Sequence, residues 1–368
     1  MFQKAERIAQ GIDPWPWVGM QSGVGTENPG ASVWAFTALA HVTDTPEGMT
    51  FAVMLLNVLA LWAFAAWVMK LWPEDDREVG LGGLALFAVS PLPVLFSRKI
   101  WAQDLLPVLL VPWYIGHSLR HRAWAAFIFG FISALMGQLH LSGFFAAASM
   151  WIATLIYDRK GTRWLSLLGG ATLGALPMLP WLQFLLSGKA STRPRLFIWS
   201  IDYFWEGFKL TWGVNLRYTM HKNFGEFLRS PRIGETNTWF IGGLHIALCL
   251  LALACVIIIA IKFRSLRLSQ PLRIYATAIV LTGVLLHALG VLVYVHYLIV
   301  WSPLLHIATA WMLSHRRHLL AVCITMQLII TSSFLWFIHT HGGAPRGDFG
   351  VSYGAQTEEQ RRDGPTWP

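Results

Sequence analysis

Long apolar runs alternate with short basic clusters along nearly the whole chain, and that alternation constrains the fold more than any motif. A helix crossing a bilayer needs about 20 mainly apolar residues, with about 17 to 25 tolerated. Runs of that kind lie at 49–71, 80–97, 101–118, 123–139, 142–157, 164–187, 238–262, 272–295, 297–313 and 317–338. They predict an all-α polytopic membrane protein of about ten transmembrane helices. Composition agrees. Only 13% of the 368 residues are charged, against roughly 25% in an ordinary soluble domain, which excludes a single water-soluble globule. The mean hydropathy of +0.50 requires those charges to be gathered between the apolar runs.

The stretch from Trp124 to Tyr157 is too long for one span and slightly short for two, and a turn at Gln138–Gly143 divides it. The basic residues support the division, because short loops rich in Lys and Arg stay on the cytoplasmic side. Alternate loops carry Lys70 and Arg77; Arg120 and Arg122; Arg159, Lys160 and Arg163; Lys262, Arg264, Arg267 and Arg273; and Arg316 and Arg317. They fall on one side only if 123–157 crosses twice. The expected organisation is an outer-face segment at 1–48, an N-terminal bundle at 49–187, an outer-face aromatic and basic loop at 188–237, a C-terminal bundle at 238–338 and an outer-face tail at 339–368. The middle loop is dense in Trp, Phe, Tyr and Arg from Arg193 to Tyr218. That composition suits an interfacial segment at headgroup level, or a plain aromatic belt.

Several function classes lose support. The net charge is +9, but the basic residues form no single stripe interleaved with aromatics, so a nucleic-acid partner is not indicated. Cys249, Cys255 and Cys323 lie inside apolar runs without metal-binding spacing. The Gly-x-x-x-x-Gly-Lys-Ser/Thr phosphate loop, the Gly-x-Ser-x-Gly elbow and the His-Glu-x-x-His helix are all absent. Mid-span charges of the kind that build ion relays are also lacking, which weakens an ion-coupled transporter. The first residues have no apolar stretch after their charges, so no cleavable signal peptide is expected and insertion falls to the first internal span.

Three places carry candidate chemistry. From Gly23 a glycine-rich turn leads through Asn28-Pro29 into a helix, which suits either a structural turn or an anion at the helix start. Glu27 is its only acid, either catalytic, metal-binding or a helix-start charge. The outer loop Ser97-Arg98-Lys99-Ile100-Trp101-Ala102-Gln103-Asp104 breaks the charge rule of its neighbours. Arg98 and Lys99 could hold a phosphate, Arg by a planar fork and Lys as a point charge. Asp104 is a second candidate catalytic acid, or a partner that pairs with Arg98 to steady the loop. His296 and Tyr297, at the outer end of a span, could hydrogen-bond the same phosphate, whereas His140 reads as a polar residue of a packed turn. His339 and His341 lack a third ligand nearby.

These elements together resemble the GT-C class of integral-membrane glycosyltransferases, which includes protein mannosyltransferases (glycosyltransferase family 39) and the aminoarabinose transferase of lipid A. Lys4–Gly11 followed by Val24-Gly25-Thr26-Glu27-Asn28-Pro29 is similar to that class's first outer loop with its membrane-parallel helix. Ser97-Arg98 and Gln103-Asp104 resemble the basic and acidic elements of its second outer loop. His296-Tyr297-Leu298 with Pro303 resembles a late-span pattern, and Gly347-Asp348-Phe349-Gly350 a tail motif of some bacterial members. The resemblance implies inverting transfer of a sugar from a polyprenyl-phosphate carrier to a lipid, glycan or protein acceptor. It places this reaction on the outer face of a bacterial inner membrane, sometimes with a divalent metal. It also implies a first transmembrane helix and an acidic pair ahead of the segment matching Lys4–Gly11, before Met1 in this numbering. Asp13 and Glu27 are the outer acids nearest that place. The other reading is a non-catalytic transporter or accessory protein for lipid-linked glycans.

Overall fold

A computed structural model describes residues 1–21, 27–188, 201–262, 269–314, 316–345 and 349–355, apart from the side chains at 259, 260 and 262. The chain opens with a short amphipathic helix, α1 (Phe2–Ala9), followed by the antiparallel strands β1 (Val18–Gln21) and β2 (Glu27–Pro29) and by α2 (Ala31–Ala40). Ala5 and Ile8 are buried where α1 packs on α2. Asp13 is held in a two-pronged pair with Arg7, Arg Nε and Nη2 donating at 2.9 and 2.7 Å. That hydrogen-bonded pair holds the Asp13 carboxyl below its usual range.

Among the described residues, seven helical segments are long and apolar enough to cross a membrane, which makes the chain a multi-pass, predominantly helical membrane protein. The first, α3 (Pro46–Leu71), runs 26 residues. Thr45 caps it, its side chain accepting from the Gly48 N–H at 3.1 Å, with Pro46 in the first turn. Glu47 stands at the start and Lys70 at the end, the order the helix dipole favours. Two expected spans are shorter, and a third falls just under the length of the seven. In place of 80–97 stand α4 (Glu74–Val89) and α5 (Pro91–Phe96), broken before Pro91. In place of 101–118 a 3-10 turn at Ala102–Leu105 leads into α6 (Leu106–Ser118). The third, α7 (Ala123–Leu139), has the expected bounds and 17 residues. At 1.5 Å per residue the 16 residues of α4 and the 13 of α6 extend about 24 and 20 Å, less than a hydrocarbon core of roughly 30 Å. Before Pro91 the cause is visible: proline disfavours helical geometry in the residue ahead of it, and Ser90 is extended there.

His140 is extended between α7 and α8 (Leu141–Asp158), so the 123–157 stretch is two helices, as its loop charges require. The next span is α9 (Trp164–Ala175) continued through a 3-10 turn into α10 (Leu179–Leu186). The later ones are α14 (Phe240–Lys262), α15 (Gln270–Ala288), α16 (Ser302–Leu313) with the 3-10 segment Val295–Trp301 ahead of it, and α17 (Arg317–Thr340). Between α10 and α14 stand α11 (Asp202–Thr211), α12 (Leu216–Met220), α13 (Phe224–Leu228) and the hairpin of β3 (Arg232–Ile233) and β4 (Thr236–Asn237). Much of this aromatic segment folds onto the bundle. Tyr203, Trp212 and Phe227 are almost wholly buried, while Trp205 keeps 52% exposure. After α17 the tail forms a small hairpin of β5 (Gly343–Ala344) and β6 (Gly350–Val351).

Hydrogen bonds and ion pairs gather the described basic loop residues at one end of the bundle. The Arg163 N–H donates to the Arg120 carbonyl at 3.1 Å, Arg120 pairs with Asp158 at 2.5 Å, and the Gln270 amide donates to the Tyr157 carbonyl at 2.7 Å. Arg317 pairs with Glu78 at 2.5 Å. A groove lined by Trp72, Asp76, Leu272, Tyr275 and Trp311 brings those two sets together. At the opposite end lie the loop 97–101, His140, His296 and the tail, joined by ring contacts and by the Phe349 N–H donating to the Thr219 carbonyl at 3.1 Å.

Candidate functional site

The site is built on a chain reversal. Pro91 and Pro93 stop the α4 direction, α5 turns the chain, and the segment from Ser97 to Trp101 crosses the end of the bundle before α6 returns. This places Arg98 exposed and Lys99 half-buried at the rim of a cleft of about 730 Å³. The first turns of α3 supply Glu47, Thr50, Phe51 and Met54, and the tail supplies Phe349, Val351 and Tyr353. The Lys99 ammonium lies 4.4 Å from the Trp101 ring centroid and 5.9 Å from that of Phe349, cation–π distances that anchor it between loop and tail.

Trp101 links this cleft to a ring cluster behind it. Its centroid is 5.9 Å from that of His296, which lies 5.2 Å from His140. His140 in turn meets Tyr297 edge-on at 4.9 Å, and Tyr294 stacks on His296 at 5.6 Å. His140 therefore has two attachments. Its Nδ1 accepts from the Ser142 N–H at 3.2 Å and caps α8, so the neutral ring carries its proton on Nε2. Burial, with His296 beside it, holds His140 well below the usual imidazole range. The Nδ1 atom of His296 is buried with no hydrogen-bond partner.

Neither of the two acids singled out from sequence lines the cleft. Glu27 belongs to β2, which packs against α7, and its backbone carbonyl accepts from the Trp181 indole at 2.8 Å. Asp104 is 1% exposed and lines a separate, smaller cavity beneath the loop. No ion pair between Asp104 and Arg98 forms among the described residues. The structure does bring together Arg98, Lys99 and, through Trp101, the His296-Tyr297 pair. Val24–Thr26 and Gly347-Asp348 lie outside the described residues.

Glu47 and Tyr353 are the cleft residues that sequence reasoning passed over. Glu47 follows a capping Thr45-Pro46 and reads as an ordinary first-turn acid, and Tyr353 sits in a Gly-rich tail. Only the tail's return over α3 reveals either. Glu47 is the one acid lining the cleft among the described residues. Among those residues, too, no group of three His, Cys, Asp or Glu side chains is placed to hold a metal ion.

The α3 face gives the site a direction. Thr50, Phe51 and Met54 line the cleft, and Asn57, Val58 and Leu61 continue the same stripe into the smaller cavity, at the three- and four-residue spacing of one helix face. Phe51 and Val58 are 59% and 43% exposed, so this stripe borders the lipid-facing side of the bundle. A charged rim above an apolar, lipid-facing wall can hold an amphiphile with an anionic head. No family model, no curated protein and no solved structure matches the chain.

Proposed function

We propose that the chain is a membrane glycosyltransferase of the GT-C kind, taking a sugar from a polyprenyl-phosphate carrier at the 97–101 cleft and passing it to an acceptor on the outer side of the membrane. One observation carries the reading: two cations sit on a turned-back loop at the head of an apolar helix stripe bordering lipid. In that role Arg98 and Lys99 bind the phosphate and stabilise the charge that develops as it leaves, the term that usually dominates such displacements. His296 and Tyr297, reached through Trp101, orient the phosphate side, and Glu47 is placed to orient the acceptor hydroxyl. Cleavage of the anomeric C–O bond gives the carrier phosphate and a new glycosidic bond, with the acceptor proton passing to a base.

The competing reading is a non-catalytic carrier or accessory protein for lipid-linked glycans. It is favoured by the absence of Glu27 and Asp104 from the lining of the cleft, which leaves Glu47 as the acid there among the described residues. Full-length protein in nanodiscs, given a short-chain polyprenyl-phosphate hexose, separates the two. Binding with sugar transfer supports the transferase, and binding without transfer supports the carrier. Arg98→Ala is expected to abolish transfer and weaken binding by about 10- to 100-fold, the worth of a charge-assisted contact. Unchanged binding and transfer in that variant would remove Arg98 from the site.

A further inference from the structure

Asp104 is the strongest electrostatic anomaly among the described residues. It is 1% exposed, and neither carboxylate oxygen has a well-formed hydrogen bond, only the weaker pull of the Trp101 backbone and the Lys99 charge. It makes no ion pair among the described residues. A buried carboxylate in that condition is costly unless a proton or a cation neutralises it.

Its surroundings offer oxygens whose hydrogens are already spent. The Asn57 amide nitrogen donates to the Val53 carbonyl and to the Asp104 backbone carbonyl, both at 2.9 Å. Two carbonyl partners fix the amide's orientation and leave its Oδ1 as the group it can offer elsewhere. Ser97 likewise donates its hydroxyl hydrogen to the Val94 carbonyl at 2.8 Å, keeping its lone pairs. Asn57, Ser97, Ser302 and Asp104 line one cavity of about 100 Å³, enough for a small ion with one or a few waters. Asp104 is the only ionisable side chain among the residues lining it.

We propose that this cavity is a binding site for a single small monovalent cation of the sodium class, held by the Asp104 carboxylate with the neutral oxygens of Asn57, Ser97 and Ser302. All-oxygen donors select a hard cation. Charge balance selects a monovalent one, since one carboxylate neutralises it and a divalent ion would leave a net positive charge buried beside the Lys99 field. The site joins α3, α5, the 3-10 turn before α6 and the start of α16, so an ion there ties the 97–104 loop to the bundle. The inference is independent of any sugar transfer.

The test uses full-length protein in detergent, melted in sodium, potassium or choline chloride at equal ionic strength, with 22Na+ retention measured in parallel. A saturable rise in melting temperature with sodium, absent with choline, and retention of one ion per chain are expected. Asp104→Asn should abolish both responses. Equal melting in sodium and choline, or a sodium response that survives Asp104→Asn, overturns the proposal. Infrared difference spectra of the wild-type protein stand even if the variant does not fold. Sodium should convert a protonated carboxyl band to carboxylate, and a spectrum unchanged by sodium means that waters, not an ion, fill the cavity.

Discussion

His140 carries two roles on one ring, and substitution can separate them. As the cap of α8 it accepts from the Ser142 N–H, and as a ring it touches His296 and Tyr297. His140→Ala loses both, and should lower stability by roughly 0.5–2 kcal/mol, the range of a lost helix cap. His140→Asn restores a capping oxygen without the ring, so its melting temperature should return most of the way. If sugar-phosphate binding stays impaired in the Asn variant, the ring cluster serves the ligand; if binding recovers with stability, the ring is only packing. Asp104 supplies a prediction of opposite character. Burial raises its carboxyl well above the usual range, against the pull of Lys99 and the Trp101 backbone. The folded chain then keeps a proton that the unfolded chain releases near pH 4, so without a bound cation this group's contribution to stability is full below about pH 4 and is lost as pH rises. In choline chloride the wild type should therefore melt progressively lower relative to Asp104→Asn as pH rises from about 4. A difference that stays flat, or one of the opposite sign, would show that the carboxyl is not held protonated. The sequence exposed Arg98 and Lys99 because they violate a charge pattern that needs no structure to read. It did not expose the depth of Asp104, because one residue's burial depends on where the 97–104 loop turns back, and nothing local encodes that depth.

Helices show the same division between local and non-local information. The 123–157 stretch was readable as two helices because loop charges demanded an extra crossing, and the extended His140 supplies it. The shortness of α4 and α6 was partly readable from Pro91, Pro93, Pro107 and Pro112, but an apolar run counts the same on either side of a break. Glycine packing was not readable at all. A Cβ on Gly130 of α7 would strike the Leu167 carbonyl of α9, and one on Gly170 would strike the Phe127 carbonyl. Gly174, four residues on, faces the Phe131 carbonyl, so α9 presents a Gly-x-x-x-Gly face to α7 at backbone distance. In the sequence these are scattered glycines, since their partners lie on a helix some 40 residues away. Gly130→Val and Gly170→Val should each destabilise the bundle by about 1–3 kcal/mol, and more if the backbones cannot part. Gly169→Ala, whose added Cβ would meet open space, is the control and should melt within a degree or two of the wild type. Equal melting of all three variants would mean that α7 and α9 do not cross this closely.

At the scale of the whole molecule the decisive quantity is which end faces which compartment. The described basic loop residues form one end, and the 97–101 cleft, the His140–His296 cluster and the tail form the other. If Lys- and Arg-rich loops are retained inside, as the loop charges lead one to expect, the first end faces the cytoplasm and the cleft faces out. Single cysteines test both the separation of the ends and their orientation. Glu235, at the tip of the β3–β4 hairpin, and Arg159, after α8, are exposed at opposite ends. Of the native cysteines, Cys255 and Cys323 are buried and Cys249 is exposed within a membrane span, so Cys249→Ser gives a quiet background. On intact cells a membrane-impermeant maleimide should label Glu235→Cys and leave Arg159→Cys unmodified until the membrane is opened. Labelling of both from outside would contradict the arrangement of the helices. The reverse pattern would keep the arrangement but turn it over, and a cleft facing the cytoplasm would draw its donor from the leaflet where nucleotide sugars are also present. A polyprenyl carrier would then have no evident advantage as sugar donor, so the sidedness experiment bears on the chemistry as directly as any assay of transfer.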